Sequence, residues 1–371
     1  MDRGSILQIV SGFKPAVDGM GDFSRRLGDA LWKEHGIRSH YLVFKRPPSP
    51  LNPDEISPNT LSYFDAQMPR GCLEQIATLN RDQAFHSALL HYGPYGYSRE
   101  GRPGAFVDAM EELSKSLRML VFFHEMSSSG PLWKRAFWTR GEQVRSLEKL
   151  LTIADAAFTS NRKYYERLER MNTAHRPLVQ IPIFSNIGEP QKLAKLDKRT
   201  RQLVIFGQIA TRIRLYRDRR QELEKIVRLL RVTKIVDVGP GASPVIPAVL
   251  AGVELRSTGF MEEQALSGLL ADSVAGIIGY WPDVWEKSGV MAAYEAHALL
   301  PILVELEPRL LPEPAYVPYL TAERLERLAD GDGVVSNEQL QNAVDAAYAY
   351  YRSKQSVERC AERIAQAAMR A

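Results

Sequence analysis

Short apolar runs alternate with helix-like segments along the first half of the chain. Each run is rich in β-branched and aromatic residues, and the segments between the runs repeat apolar positions at helical spacing. The predicted strands are "ILQIV", "HYLVF", "ALLHY", "RMLVFFH", "AAFTS" and "LVQIPI". Alternation of this kind is typical of a parallel β-sheet wrapped by helices.

The second half repeats the pattern after a polar connector. Its predicted strands are "LVIFG", "KIVDVG", "VELRSTG", "VAGIIGY" and "PILVE". Residues 186–200 are charged, contain a proline and show no apolar period, so we interpret them as a linker. The sequence therefore predicts an α/β protein of two Rossmann-like, doubly wound domains, 1–185 and 201–345. We expect the helical tail, 346–371, to cross back to the first domain.

In a doubly wound domain, ligands bind beyond the carboxyl ends of the parallel strands. We expect the two domains to face each other across a cleft that both sets of strand ends line. Functional residues are therefore expected in loops that directly follow strands.

Composition narrows the class of protein. A length of 371 residues suits two domains, and 45% hydrophobic with 25% charged residues is typical of a globular protein. Cys72 and Cys360 lie far apart and match no metal-binding spacing, which favours a reducing compartment. The sequence has no apolar stretch of about 20 residues and no pattern of a secretory signal. We expect a cytoplasmic protein.

The charge indicates a weak preference for anions. The formal net charge is +4 and the isoelectric point is about 8.9, which is too weak to indicate nucleic-acid binding, so we expect no nucleic-acid partner. Basic residues cluster in three helix-like segments. Such clusters are most often the solvated faces of helices. Phosphate ligands and peripheral contact with the inner face of a membrane are the alternatives.

Two glycines stand just before the first predicted helix. Gly19 and Gly21 invite comparison with the dinucleotide-binding fingerprint, which needs its first glycine at the strand end and a third glycine further on. Here eight residues separate the strand from Gly19, Ser24 occupies the third position, and the next strand ends in Lys45 rather than an acid. Hydride transfer is therefore disfavoured. The remaining interpretation is a flexible turn at residues 19–21, which we call the glycine elbow and which leads into a helix.

Residues 274–305 combine a buried strand, a loop and a helix. Ser288 and Gly289 offer a helix cap and unobstructed backbone amides, which is a setting that binds phosphate. Lys287 beside a helix N-terminus opposes the macrodipole unless an anion lies between them. Glu286 is one source of that anion, and a nucleotide pyrophosphate is a better one.

The segment "EKSGVMAAYEAHALLPI" resembles the signature of the retaining GT-B-fold glycosyltransferases, especially those of family 4. Weaker similarities follow in the expected order over about nine tenths of the chain. They are "DGMGDFSRRLGDAL", "FFHEMSSSG", "IADAAFTSNRKYYERL" and "LVIFGQIATRIRLY". The resemblance implies the GT-B fold, with an acceptor-side N-terminal domain and a C-terminal domain that binds the nucleotide sugar.

The resemblance also implies roles for individual residues. The glycine elbow, including Met20, would lie against the donor, and His124 would reach the transferred sugar. Arg212 or Arg214 would pair with the diphosphate and stabilise the leaving group. The amides of Ser288 and Gly289 would add to this phosphate site. Glu295 would hold the nucleotide ribose.

One position departs from the family pattern. Eight residues before Glu295 stands Lys287, where the family often has its first glutamate, and Glu286 lies one residue earlier. Either Glu286 takes the acidic role through a shift of one residue, or the donor sugar is contacted differently.

The resemblance implies a hexosyltransferase that uses a nucleotide diphosphate sugar as its donor, UDP- or GDP-linked, and retains the anomeric configuration. The acceptor would be a hydroxyl group of a glycan, a lipid-linked sugar or a small molecule. We expect no cofactor and no metal, since "HEMSS" lacks the second histidine of the zinc helix motif. Alternatives are a GT-B-fold sugar-nucleotide epimerase and a degenerate nucleotide-sugar-binding protein without transfer activity.

Overall fold

The structure is a computed structural model that describes residues 4–13, 19–46, 51–64, 69–127, 135–307, 317–331 and 333–369. It divides the chain into two compact units, Met1–Pro182 with Val357–Ala371, and Ile183–Ser356. Each unit is built on a mainly parallel β-sheet. This confirms the α/β architecture of two Rossmann-like domains that the alternating pattern predicts.

The first unit alternates strands and helices. Its elements are β1 (Gly4–Gly12), α1 (Gly19–His35), β2 (Ile37–Lys45), β3 (Thr60–Tyr63), α2 (Pro69–Gln83), β4 (Phe85–Tyr92), α3 (Gly104–Leu113), β5 (Met119–Phe123), α4 (Arg135–Ile153), β6 (Ala156–Thr159), α5 (Arg162–Met171) and β7 (Leu178–Gln180). The sheet order is β3-β2-β1-β4-β5-β6-β7, and neighbouring strands are parallel. Every residue of β5 is buried, as expected for a central strand of a parallel sheet covered on both faces.

The second unit has the same organisation. Its elements are β8 (Thr200–Phe206), α6 (Ile209–Asp218), α7 (Arg220–Leu229), β9 (Lys234–Val238), β10 (Val249–Leu250), β11 (Val253–Gly259), α8 (Glu263–Asp272), β12 (Ser273–Tyr280), α9 (Gly289–Ala296), β13 (Leu300–Glu305), α10 (Ala322–Leu328) and α11 (Asn337–Tyr350). The sheet order is β10-β11-β9-β8-β12-β13, and only the β10–β11 pair in it is antiparallel. Each sheet therefore presents the carboxyl ends of several parallel strands at one edge, which we call its carboxyl edge.

The first boundary between the units lies slightly before the predicted end of the first domain. Ile183 belongs to the second unit, because its N–H donates to the Glu286 carbonyl at 3.0 Å and its carbonyl accepts from Gln355 Nε2 at 2.8 Å. Residues 186–200 lie in the same unit and do not form a free linker. Within them Leu196 is buried, and its N–H donates to a side chain of α11 at 2.9 Å.

The helical tail is divided between the two units. After α11, a π-helical turn at Tyr351–Gln355 ends the second unit, and the chain returns to the first unit at Val357. The last helix, α12 (Val357–Ala368), packs its buried small residues against α1. Within the described ranges, the structure contains no helix that has both the length and the apolar character needed to cross a bilayer.

Candidate functional site

His124 directly follows β5 at the carboxyl edge of the first sheet and is buried. Its Nε2 lies 3.0 Å from His91 Nδ1, and His91 Nε2 lies 2.8 Å from Gln8 Oε1. The Gln8 amide nitrogen in turn donates to Ser39 Oγ at 2.8 Å. A hydrogen-bonded chain therefore links His124 to β4, β1 and β2.

This chain fixes the tautomer of both histidines. Burial lowers the pKa of His91 to about 3, so its ring is neutral at physiological pH and carries one proton. Gln8 uses its amide nitrogen on Ser39 and presents its oxygen to His91, so His91 Nε2 is the donor. His91 Nδ1 must then accept, and the proton in that contact belongs to His124 Nε2. The sequence offered a signal for these partners, since Gln8 and His91 are polar residues inside otherwise apolar strands.

Packing requires a glycine at only one of the two glycine positions of the elbow. A Cβ at Gly21 would overlap the carbonyl oxygen of Gly12 and lie 3.1 Å from the Phe13 Cα, so the helix touches the end of β1 here. At Gly19, no described atom lies within 4 Å of the Cβ position. Packing against β1 thus explains Gly21 without a ligand, and the contact of the elbow with the donor stays a prediction. Met20 lies beside Gly93, just after β4.

Alanine substitutions separate these two glycines. We expect Gly21→Ala to lower the free energy of unfolding by about 1–3 kcal/mol, because the backbone of β1 must move to admit the methyl group. Gly19→Ala is the matched control in the same turn and should change it by less than about 0.5 kcal/mol. Urea denaturation of both variants tests the difference. Equal stability of the two variants would contradict the packing explanation.

In the second unit, Ser288 caps α9 as the sequence predicts. Its Oγ accepts from the Met291 N–H at 3.1 Å, and its own N–H donates to the Trp285 carbonyl at 2.8 Å. The Ser288 amide is therefore already used, contrary to the expectation that it offers its N–H to phosphate. Gly289 begins the helix, where backbone N–H groups have no acceptor inside the helix, and no described atom lies near its Cβ position.

Arg212 lies at the centre of a buried hydrogen-bonded network. Its guanidinium pairs with Asp237, while Nε and Nη2 donate to the carbonyls of Gly207 at 3.0 Å and Pro240 at 2.7 Å. Asp237 also accepts from the Tyr216 hydroxyl at 2.9 Å. Only 1% of the Arg212 side chain is exposed. The expectation that Arg212 binds a diphosphate is therefore wrong on geometric grounds: its charge and its donors are committed to the interior.

Arg214 lies two residues further along α6 and has a different environment. Its side chain is 32% exposed, and Nη2 donates to Glu307 Oε1 at 2.8 Å. Its guanidinium lies over the ring of Trp281, 5.8 Å from the centroid. Trp281 follows β12 and Glu307 follows β13, so Arg214 stands at the carboxyl edge of the second sheet.

Glu295 is completely buried in α9. Among the described residues, neither of its carboxyl oxygens has a hydrogen-bond partner of good geometry, although the nearby Gln355 amide favours the ionised form. Burial is the dominant effect and raises the pKa of Glu295 well above its usual range, and the Glu286 carboxylate adds to this rise. Burial therefore favours the protonated form of this carboxyl group, which lies beside the π-helical turn.

Glu286 and Lys287 end the 3₁₀ turn Pro282–Lys287, directly before the cap of α9, and both are half-buried. The structure thus brings them together with Ser288, Gly289 and Glu295 in one loop-helix unit. Histidine, cysteine and acidic side chains of the described residues form no group of three or more that is arranged to hold a metal ion.

A scan of protein-family models and a search of curated proteins both find no match for this chain. Solved structures do match it over nearly its whole length. An α-glucosyltransferase in complex with UDP and a 13-mer DNA has a TM-score of 0.63 at 12% identity, with 99% of each chain covered. The catalytic domain of starch synthase IV from Arabidopsis thaliana, bound to ADP and acarbose, has a TM-score of 0.61 at 11% identity, with 100% of each chain covered.

A UDP-N-acetylglucosamine 2-epimerase is also similar, with a TM-score of 0.53 at 12% identity, and the match covers 98% of this chain and 94% of that one. These similarities confirm that the chain has the GT-B fold. The α-glucosyltransferase was solved with DNA, so the comparisons give no support to the expected absence of a nucleic-acid partner.

Proposed function

We propose that this protein is a glycosyltransferase that moves a hexose from a nucleotide diphosphate sugar to a hydroxyl acceptor. The fold supports this proposal, and so does the resemblance of the α9 segment to the retaining family 4 enzymes. Retention of the anomeric configuration, a UDP- or GDP-linked donor and a cytoplasmic location are parts of the same proposal.

The observation that carries the proposal is the position of Arg214. A partly exposed guanidinium stands at the carboxyl edge of the second sheet, where doubly wound domains bind their ligands. The N-terminus of α9 follows β12, the same strand that leads to Trp281. A guanidinium and a helix N-terminus both favour a diphosphate, the first by charge-assisted hydrogen bonds and the second through free amides and the helix dipole.

The proposed chemistry depends mainly on neutralising the departing diphosphate. Negative charge grows on the leaving oxygen as the bond to the sugar breaks, and Arg214 with the Gly289 amide would stabilise that charge. Glu295 would contact the ribose hydroxyls, which can donate to its carboxyl oxygens. Glu286 and Lys287 stay candidates for the contact with the donor sugar.

His124 remains our candidate for a contact with the transferred sugar. Its hydrogen bond to the neutral His91 holds the ring in one orientation and one tautomer. A fixed ring suits a positioning role, because a group that is already oriented loses little conformational freedom when the substrate binds.

Nucleotide binding gives the direct test. We expect UDP or GDP to raise the thermal stability of the protein, since a ligand at about 100 times its dissociation constant adds roughly 2.7 kcal/mol. ADP and NAD serve as comparisons in the same thermal-shift measurement. A shift with NAD alone would favour a dehydrogenase, and no shift with any nucleotide diphosphate would contradict the proposal.

A sugar-nucleotide epimerase is the second candidate, because such an enzyme shares the fold of this chain. An epimerase converts its nucleotide sugar without any acceptor, whereas a glycosyltransferase releases the free nucleotide diphosphate when an acceptor is present. Chromatography of the nucleotide products with and without acceptor separates the two. A degenerate binding protein, which Lys287 at the family's glutamate position favours, would bind the nucleotide and release no product.

A further inference from the structure

Three arginines, Arg140 on α4 and Arg167 and Arg170 on α5, lie near one another in the first unit. Arg167, on α5, is half-buried and donates from Nη2 to Ser127 Oγ at 3.0 Å. Ser127 stands four residues after the end of β5, and α5 begins shortly after the neighbouring strand β6. The contact therefore joins the loop that follows β5 to the middle of the helix that follows the adjacent strand β6, next to the region where doubly wound domains bind ligands.

Two further arginines lie close enough to Arg167 to repel its guanidinium. Burial lowers the pKa of Arg167, and repulsion from Arg140 on α4 and from Arg170 on α5 lowers it further. None of the described residues forms an ion pair with Arg140 or Arg167.

Like charges held close together destabilise a fold unless something compensates them, and the cost grows when a guanidinium is partly removed from water. Helices α4 and α5 pack against each other, which brings the arginines of the two helices close together. An anion with several oxygens and more than one negative charge would remove this repulsion. Arginine is suited to it, because its planar fork matches the oxygens of a phosphate group.

We propose that Arg140, Arg167 and Arg170, together with Ser127, bind the phosphate monoester of a phosphorylated acceptor. As a statement about the acceptor, this inference rests on the proposed function. The proposed function assigns the donor diphosphate to the second unit. We therefore assign an anion site in the first unit to the other substrate, the acceptor. The exposed ring of Phe137 stands three residues before Arg140 on the same side of α4, and it offers a surface on which a sugar can stack.

Calorimetric titration with glucose 6-phosphate and with glucose tests the site. We expect the wild-type protein to bind the phosphate ester and not the free sugar, and Arg140→Gln/Arg167→Gln to weaken binding by at least about tenfold. Arg162→Gln is the matched control, because Arg162 is an exposed arginine of α5 that pairs with Glu166 and should change the affinity less than twofold.

Three outcomes of this titration would overturn the inference: no binding by the wild-type protein, full binding by the double variant, or an equal loss in Arg162→Gln. The single variant Arg140→Gln keeps the test decisive if the double variant unfolds, since Arg140 is exposed. UDP affinity is measured on the same proteins. If a variant no longer binds the phosphate ester but still binds UDP, the site belongs to the acceptor. If the wild-type protein does not bind UDP, that result counts against the proposed function alone.

A second comparison distinguishes the source of the phosphate. Vesicles that contain phosphatidic acid present the same monoester at a membrane surface, and phosphatidylcholine vesicles are their control. Binding to phosphatidic acid that glucose 6-phosphate displaces, and that the double variant loses, assigns the site to a lipid-linked phosphate. Binding of the soluble ester alone assigns it to a free sugar phosphate. Binding of duplex DNA without affinity for either monoester would overturn the inference.

Discussion

Replacing Arg212 with alanine is expected to lower the free energy of unfolding by about 3–5 kcal/mol. The substitution leaves the fully buried Asp237 carboxylate without its cation, and the carbonyls of Gly207 and Pro240 lose their donors. An uncompensated buried charge is among the most destabilising changes a fold can suffer. Urea denaturation of the purified variant measures the effect.

Arg214→Ala is the matched control for this prediction, because it removes the same side chain from the same helix at a partly exposed position. Its ion pair with Glu307 is of the surface type, so we expect a loss below about 1 kcal/mol. The double variant Arg212→Ala/Asp237→Ala should lose less free energy of unfolding than the two single variants lose together, because neither charge is then left without its partner. A stable Arg212→Ala protein would show that the network around Asp237 does not hold this unit together.

These two arginines also show where sequence reasoning ends. The order of strands and helices follows from the apolar runs, because a strand buried on both faces must be apolar along its whole length. Which of the two arginines of α6 is buried depends on the carboxylate of Asp237, which lies on strand β9, 25 residues from Arg212. A single sequence carries no sign of that pairing, so Arg212 and Arg214 are equivalent until the chain is folded.

The same limit applies to the glycine elbow and to the histidines. Gly21 looks like a ligand-binding glycine because its partner, the end of β1, is not visible from local sequence. His124 stood out through its place after a strand, but its orientation depends on His91 and Gln8, which sit on two other strands. Local pattern thus locates the carboxyl edges, and tertiary contacts decide which side chains there are free to act on a substrate.

The second large effect is expected at Arg214. If this guanidinium neutralises the departing diphosphate, Arg214→Ala should lower kcat/KM for the nucleotide-sugar donor by about 10²–10³-fold. Charge develops on the diphosphate during bond cleavage, so turnover should fall more than UDP affinity does. Arg214→Lys should recover part of the loss, because lysine keeps the charge but not the two-pronged geometry.

The measurement is release of free nucleotide from the donor, with UDP affinity followed by calorimetry on the same proteins. Arg217→Ala is the control for removing a positive charge from α6, because Arg217 is exposed and pairs with its neighbour Asp218; it should leave both quantities within about twofold. The near-native stability expected of Arg214→Ala means that lost turnover there cannot be attributed to unfolding, as it would be for Arg212→Ala. Undiminished turnover in Arg214→Ala would show that the diphosphate does not bind at this edge of the sheet. The transferase proposal would then lose the observation on which it depends.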